Sequence, residues 1–334
     1  MKETAAPSKI ETAFLSLRRL TREFTAEPLR RAGKRVLTSW ESIPWDQLGS
    51  RDLRERFPSW QLLPQRPPRL HPPLGLQVPP KEEERLRFFS LNVAHGRRHS
   101  PIKPYLRHRE ARRNIAAVAQ AVRELTPDVV ALQEADGPSP WSGNLDHVAT
   151  LMELTDLVDH YRGNHNRVGI GRFRMTAGTA LLARQPLLDP VSHRFRLNWR
   201  DTKGFVVATV AVPEWDDMLV DVVSVHLDFL NPVVRRKQIL HMFHRLIARR
   251  RPLVVLGDLN CCFEREPRSM QLLVETLGLR AYQPEEPAPT YPTKRPRRRL
   301  DWILISEELE YGGYHTVQVP LSDHLVLVAD VHPR

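Results

Sequence analysis

The segment Val254–Asn260 reads VVLGDLN, an apolar run and a glycine followed by an acid and an amide two residues apart. Val254, Val255 and Leu256 suit a buried strand that Gly257 ends. Asp258 and Asn260 then emerge at its C-terminal tip, where α/β proteins concentrate ligand chemistry. A carboxylate there can hold a metal or orient a water. An amide can donate to a phosphoryl oxygen and accept from a water. Taken alone, the segment fits a strand followed by an Asx turn equally well.

Five further segments share the design. RFFSLN delivers Asn92, DVVALQE delivers Glu134, and LVDVVSVH delivers His226. LDWILIS carries Asp301 at its start, and Ser322-Asp323-His324 precedes the apolar run Leu325–Val331. Together they supply three Asp, one Glu, two Asn and two His. Oxygen-rich donors with few sulfurs suit Mg²⁺ or Mn²⁺. The eight residues are predicted to converge on one cleft.

The elements that would carry them alternate in type. Arg109–Leu125 has a helical stripe of Ile115, Val118, Ala119 and Val122 that Pro127 stops, and the strand Asp128–Glu134 follows. Gly178–Arg184, Gly204–Val212 and Leu219–His226 read as strands, and Arg235–Arg249 and Ser269–Leu277 as helices. Such alternation fits an α/β layer.

The series LNVAHG, ALQEAD, VSVHLD, VLGDLN, LDWILIS and LSDH resembles the endonuclease/exonuclease/phosphatase superfamily from about Arg85 to Val331. That resemblance implies a four-layer α/β sandwich, two central mixed sheets flanked by helices, and divalent-metal-dependent cleavage of phosphate esters by water attack on phosphorus. It implies Asn92, Glu134 and Asp323 as metal-side residues. Asp258 would position or deprotonate the water, and Asn260 would orient it or hold a phosphate oxygen. His324, paired with Asp301, would lie beside the phosphate, and either Asp258 or that pair would be the base. His226 would protonate the leaving oxygen or clamp the phosphate. Lys203, with Arg200 as its rival, would touch the substrate phosphate. Two departures weaken a DNA-repair reading: Ala94 stands where abasic-site enzymes carry an acid, and Ala135-Asp136 follows the LQE acid. A small phosphodiester or phospholipid headgroup is the expected substrate. The alternatives are a nuclease on DNA or RNA, or an inactive binding module.

Charge is consistent with such partners without choosing among them. The 334 residues carry 50 Lys plus Arg against 39 Asp plus Glu, a net charge of +11, which favours polyanions. Lys294, Arg295, Arg297, Arg298 and Arg299 run into Asp301 as a solvated stretch or an anion guide, with Tyr291 and Trp302 the nearby aromatics. The only cysteines, Cys261 and Cys262, are adjacent and lack zinc-ligand spacing, so buried packing is expected and a reducing compartment suits them. No secretory signal and no apolar span are recognisable, so a cytoplasmic protein is expected. Lys9–Trp40 reads as basic amphipathic helices broken at Pro28, packed on the domain rather than on a membrane. Seven prolines between Pro64 and Pro80 form an extended tether, with Leu70, Leu74 and Leu76 against the domain surface. The expected division is therefore an extension, residues 1–84, and a catalytic domain, residues 85–334.

Overall fold

The computed structural model describes residues 73–82, 84–98, 106–168, 175–197 and 202–334. The chain divides into two compact units, Met1–Leu63 and Pro64–Arg334, and every described residue falls in the second. The helices expected within Lys9–Trp40, the prolines up to Pro72, and Leu70 lie outside the described residues.

Two six-stranded mixed sheets form the centre. In chain order the strands are β1 (Leu86–Asn92), β2 (Val129–Gln133), β3 (Asp159–Arg162), β4 (Asn166–Val168), β5 (Met175–Ala177), β6 (Ala180–Ala183) and β7 (Leu188–Arg194). They continue as β8 (Gly204–Val212), β9 (Met218–His226), β10 (Leu253–Asp258), β11 (Leu279–Ala281), β12 (Asp301–Ser306), β13 (Leu309–Val317) and β14 (Val326–Pro333). The first sheet runs β13-β14-β1-β2-β6-β3 and the second β11-β12-β10-β9-β8-β7, while β4 and β5 pair as a separate ribbon. The helices are α1 (His108–Leu125), α2 (His147–Leu154), α3 (Pro232–Leu246) and α4 (Pro267–Leu277). The result is the α/β sandwich that the motifs imply.

Strand periodicity sorts the core into layers, because successive side chains point to opposite faces. On β1, Phe89 and Leu91 join α1 and α2 in one core, together with Ile115, Val122 and Leu151. Leu86 and Phe88 face the other way, into a core between the sheets with Val206, Val222, Val254, Leu256, Ile303 and Ile305. Continuing that alternation, Asn92, His226, Asp258 and Asp301 fall on the same inward face, just beyond the last apolar residue of each strand. The inter-sheet core therefore ends in a polar rim.

The helices start earlier than apolar spacing alone suggests. Asn231 caps α3 by accepting from the Val233 and Val234 amides, and Pro232 takes the first helical position. Pro267 does the same for α4. Both cysteines are buried, and Cys261 Sγ lies 3.4 Å from Met270 Sδ, as expected of packing residues. Trp302 is core, and no helix among the described residues is long and apolar enough to cross a membrane.

Residues 73–82 belong to the same unit as the sheets and run along it. Leu74, Leu76 and Val78 pack partly buried on the α1 side of the first sheet. The Leu74 amide donates to Glu124 Oε1, and Lys81 Nζ contacts Asp128 Oδ1 at 2.8 Å. Leu74 and Leu76 thus sit where the sequence places them.

Candidate active site

One row of register aligns much of the site. In the second sheet Gly204 pairs with His226, His226 with Asp258, and Asp258 with Asp301. A single transverse line across β8, β9, β10 and β12 therefore carries three of the predicted residues, and the hydrogen-bond ladder fixes their spacing. Gly257 permits the close approach: its φ is +146°, and a Cβ there would come within 2.0 Å of the Val225 carbonyl oxygen.

The first sheet meets this row from across the core. Asn92 Nδ2 donates to Asp258 Oδ2 at 3.0 Å, and Asn92 Oδ1 accepts from the Ala94 amide. Glu134 follows β2 in a left-handed conformation, φ +54°, which turns its carboxylate out of the strand. Its Oε1 lies 3.7 Å from Lys203 Nζ. Lys203 Nζ in turn lies 2.7 Å from His226 Nε2, which lies 3.4 Å from Asp258 Oδ2. Three contacts thus join Glu134 to Asp258, and the predicted residues Asn92, Glu134, Lys203, His226 and Asp258 share one cleft.

The remaining predicted residues close the other side. His324 Nδ1 is 2.8 Å from Asp301 Oδ2, and its Nε2 is 3.8 Å from Asp258 Oδ2. Tyr291 covers the His324 ring, centroids 4.8 Å apart. Asn260, at φ +52°, donates its amide hydrogen to Asp258 Oδ1 and its side-chain nitrogen to the Leu227 carbonyl. Asp323 is half-buried beside His324. Arg200 lies outside the described residues. Arg299, from the basic run, is buried: it donates to the Tyr282 and Gln283 carbonyls and stacks 3.8 Å from the Trp302 ring, so it is a strut rather than a substrate guide.

Buried charges of both signs shape the electrostatics. Burial opposes a charge on His324, but the Asp301 and Asp258 carboxylates outweigh it and hold the imidazole up to about 10. Burial, aided by Asp301, pushes Asp258 up to about 6. Burial and the neighbouring Lys203 ammonium keep His226 neutral, well below its ordinary value. Glu134 is held well below the carboxylate range: burial opposes ionisation, but the His95 and Lys203 charges overcome it.

Three neighbours had no role in the sequence reading. His95 Nδ1 lies 2.9 Å from Asp136 Oδ1, and its Nε2 lies 3.3 Å from Glu134 Oε2. Burial works against a charged His95, but Glu134 and Asp136 raise it to about 9. Both residues stand inside quoted motifs, LNVAHG and ALQEAD, so the signal was present without a partner to give it meaning. Thr290 Oγ1 donates to Asp301 Oδ2 at 2.5 Å from a loop eleven residues upstream. Nothing in the pattern PAPTYPT marks it.

A divalent cation fits this donor set. Burial and the Glu134 carboxylate push Asp323 up from its ordinary value, against the opposing pull of His324. Glu134, Asp323 and the Asn92 amide oxygen are donors of the type that suits Mg²⁺ or Mn²⁺. Asp258, Asp301 and His324 form a second group, with one ligand atom from each within 4.8 Å of the others.

Comparison with known proteins gives the same assignment. A sequence model described as the Endonuclease/Exonuclease/phosphatase family matches residues 89–324. No curated protein sequence matches the chain. Among solved structures, an endonuclease/exonuclease/phosphatase from Beutenbergia cavernae DSM 12333 is similar with a TM-score of 0.59 and 20% identity over 75% of this chain and 72% of that one. The human Nocturnin catalytic domain with bound sulfate gives 0.55 and 18%, over 79% of this chain and 100% of that one. D. rerio TDP2 complexed with single-strand DNA product gives 0.54 and 16%, over 75% and 100%.

Proposed function

Because the chain belongs to the endonuclease/exonuclease/phosphatase family, we propose that it is a divalent-metal-dependent phosphodiester hydrolase, its substrate a small phosphodiester or a phospholipid headgroup. The carrying observation is the convergence of Asn92, Glu134, Lys203, His226, Asp258, Asp301 and His324 in one cleft. A binding module has no need for buried acids and histidines pushed to such different proton affinities.

The residues divide the work. Asp258 takes the proton from the attacking water. Its proton affinity is raised by burial to about 6, and the Asn92 side chain and Asn260 amide fix its two oxygens. His324 is held protonated by Asp301, so it presents positive charge to the phosphoryl oxygens rather than acting as base. Lys203 supplies a second cation. His226, neutral and lodged between Lys203 and Asp258, clamps this arrangement. Glu134, Asn92 and Asp323 would hold a Mg²⁺ or Mn²⁺ ion. When bound, the metal neutralises phosphate charge and acidifies water. Asn260 orients the water or a phosphate oxygen beside Asp258.

A hydrolysis screen with Mg²⁺ and Mn²⁺ tests this. It would compare an aryl phosphodiester, sphingomyelin, inositol phosphates, plasmid DNA and RNA. Metal-dependent turnover that chelator removes is the expected result. Turnover confined to DNA or RNA would replace the small-diester reading by a nuclease. No turnover on any ester would favour an inactive binding module.

A further inference from the structure

Beyond the rim of the site, β9 runs into a turn that holds apolar side chains out in water. Phe229 is 62% exposed, Leu230 75% and Val233 41%, three large apolar residues within five positions. Single exposed apolar residues need no explanation, but a contiguous group does. The turn is braced from beneath. Asp228 Oδ1 accepts from the Leu230 and Asn231 amides, and the Asp228 amide donates to Gln238 Oε1. Arg235 Nη1 donates to the Asp228 carbonyl and Nη2 pairs with Glu266. This scaffold, anchored on the buried Arg235 and Gln238, gives the tip a fixed form.

Cations flank it. Val233, Arg236 and Lys237 lie on one face of α3 at three- and four-residue spacing, with Lys237 exposed and Arg236 half-buried. On the inner side Lys203 Nζ lies 5.8 Å from the Phe229 ring centroid, and the same ammonium contacts His226. The apolar tip is therefore part of the mouth of the catalytic cleft.

We propose that Phe229–Val233 is a docking tip that seats the cleft on an anionic phospholipid surface. An aromatic and an aliphatic side chain side by side, backed by lysine and arginine, match the boundary between headgroups and acyl chains. A nucleic acid would use flat stacking groups, and Leu230, the most exposed of the set, offers none. A stable protein partner needs roughly 800 Å² per side, more than three side chains supply. The substrate preference this implies, a phosphodiester at a lipid interface, rests on the hydrolase reading; the binding itself does not.

Sedimentation of the full chain with vesicles of phosphatidylcholine, with and without phosphatidylglycerol, tests the proposal. Chelator is included so that no turnover is involved. Binding is expected to anionic vesicles, to weaken with salt, and to fall at least about tenfold in Phe229→Ser/Leu230→Ser, since two apolar side chains lose their burial. Val158→Ser, an exposed apolar control at the opposite end of the first sheet, should bind like the parent. Melting curves check the fold, and Leu230→Ser alone substitutes if the double variant is unstable. Absent vesicle binding, or binding equal in parent and tip variant, overturns the proposal. So does a tip-dependent loss of oligonucleotide binding or of self-association without any effect on vesicles. A hydrolysis screen that fails while vesicle binding persists would sink the catalytic reading and leave the docking tip standing.

Discussion

The central strands bury charge at both ends, and the two ends handle it differently. At the N-terminal end of β1, Arg87 pairs with Asp330 through Nε at 2.6 Å and Nη2 at 2.7 Å. At the matching end of β9, Asp221 takes the Arg249 guanidinium at 2.7 Å. Each charge there has an opposite partner in good geometry. Five residues on, about 17 Å along each strand, come Asn92 and His226. At that end acids crowd one another, one histidine is held charged and another neutral, and the single Glu134 carboxylate is divided between His95 and Lys203. Matched charges stabilise; mismatched ones mark the place where a ligand completes the set.

The sharpest way to break this contrast is at the matched end. Arg87→Ala would leave Asp330 buried and unpaired and should cost about 3–5 kcal/mol in denaturant unfolding. Per folded molecule, turnover should be unaltered. A loss below about 1 kcal/mol would mean that the pair is no structural keystone.

At the other end the order reverses. Asp258→Ala and His324→Ala should each lower kcat/KM at least about 10²-fold, the cost of a lost base or charge partner. Stability of Asp258→Ala should hold or rise. A carboxyl group whose proton affinity is raised on folding loses stability on ionising, so its removal at neutral pH is not a structural loss. Variants that unfold before they lose activity would contradict the division. Full activity in excess chelator would contradict the metal.

His165 lies between these extremes. It is buried beneath Gly204, near Arg194 and Lys203, and burial with those cations depresses it to about 3. The unfolded chain protonates it near pH 6.5, so the proton-binding difference works against the folded state as pH falls below that value. Parent stability relative to His165→Gln should therefore drop by about 2 kcal/mol between pH 7 and pH 5. Parallel pH profiles would show the ring to be hydrated in the folded protein.

Thr290 tests how far the site extends. Thr290→Val removes the donor to Asp301 and should lower kcat about tenfold with little change in KM, while Thr290→Ser restores it. A KM effect alone would place Thr290 in substrate binding.

What the sequence made legible follows from the same geometry. Strands with partners on both sides, such as β1, β8, β9 and β10, carry long apolar runs, and their ends announced the site. Edge strands β3, β7, β11 and β13 went unread. β7 contains Pro190 and β13 the pair Gly312-Gly313, each beside a register shift, and an edge has less apolar surface to declare itself. The polar row was visible because it obeys strand periodicity. Thr290 was invisible because a loop, not a period, brings it to Asp301. The exposed tip, between the VSVHLD motif and the helix Arg235–Arg249, went unread, since exposure belongs to the fold and not to the residue.

The smallest effect is expected from the extension, and two cuts sharpen it. Deletion through Pro72 removes none of the described residues and should leave the unit Pro64–Arg334 with its melting temperature, even though it trims that unit's first nine residues. Deletion through Pro80 also removes Leu74, Leu76 and Val78 from the α1 side of the first sheet, and the Leu74 bond to Glu124. Partial burial of three aliphatic side chains sets the difference between the cuts at about 1–2 kcal/mol. The boundary expected near residue 84 would then lie within a stretch that contributes to the catalytic unit. Vesicle binding should survive both cuts, because the docking tip lies at Phe229–Val233. Its loss on either deletion would move the membrane contact into the extension, and equal melting temperatures for the two would show that residues 73–80 rest on the domain without stabilising it.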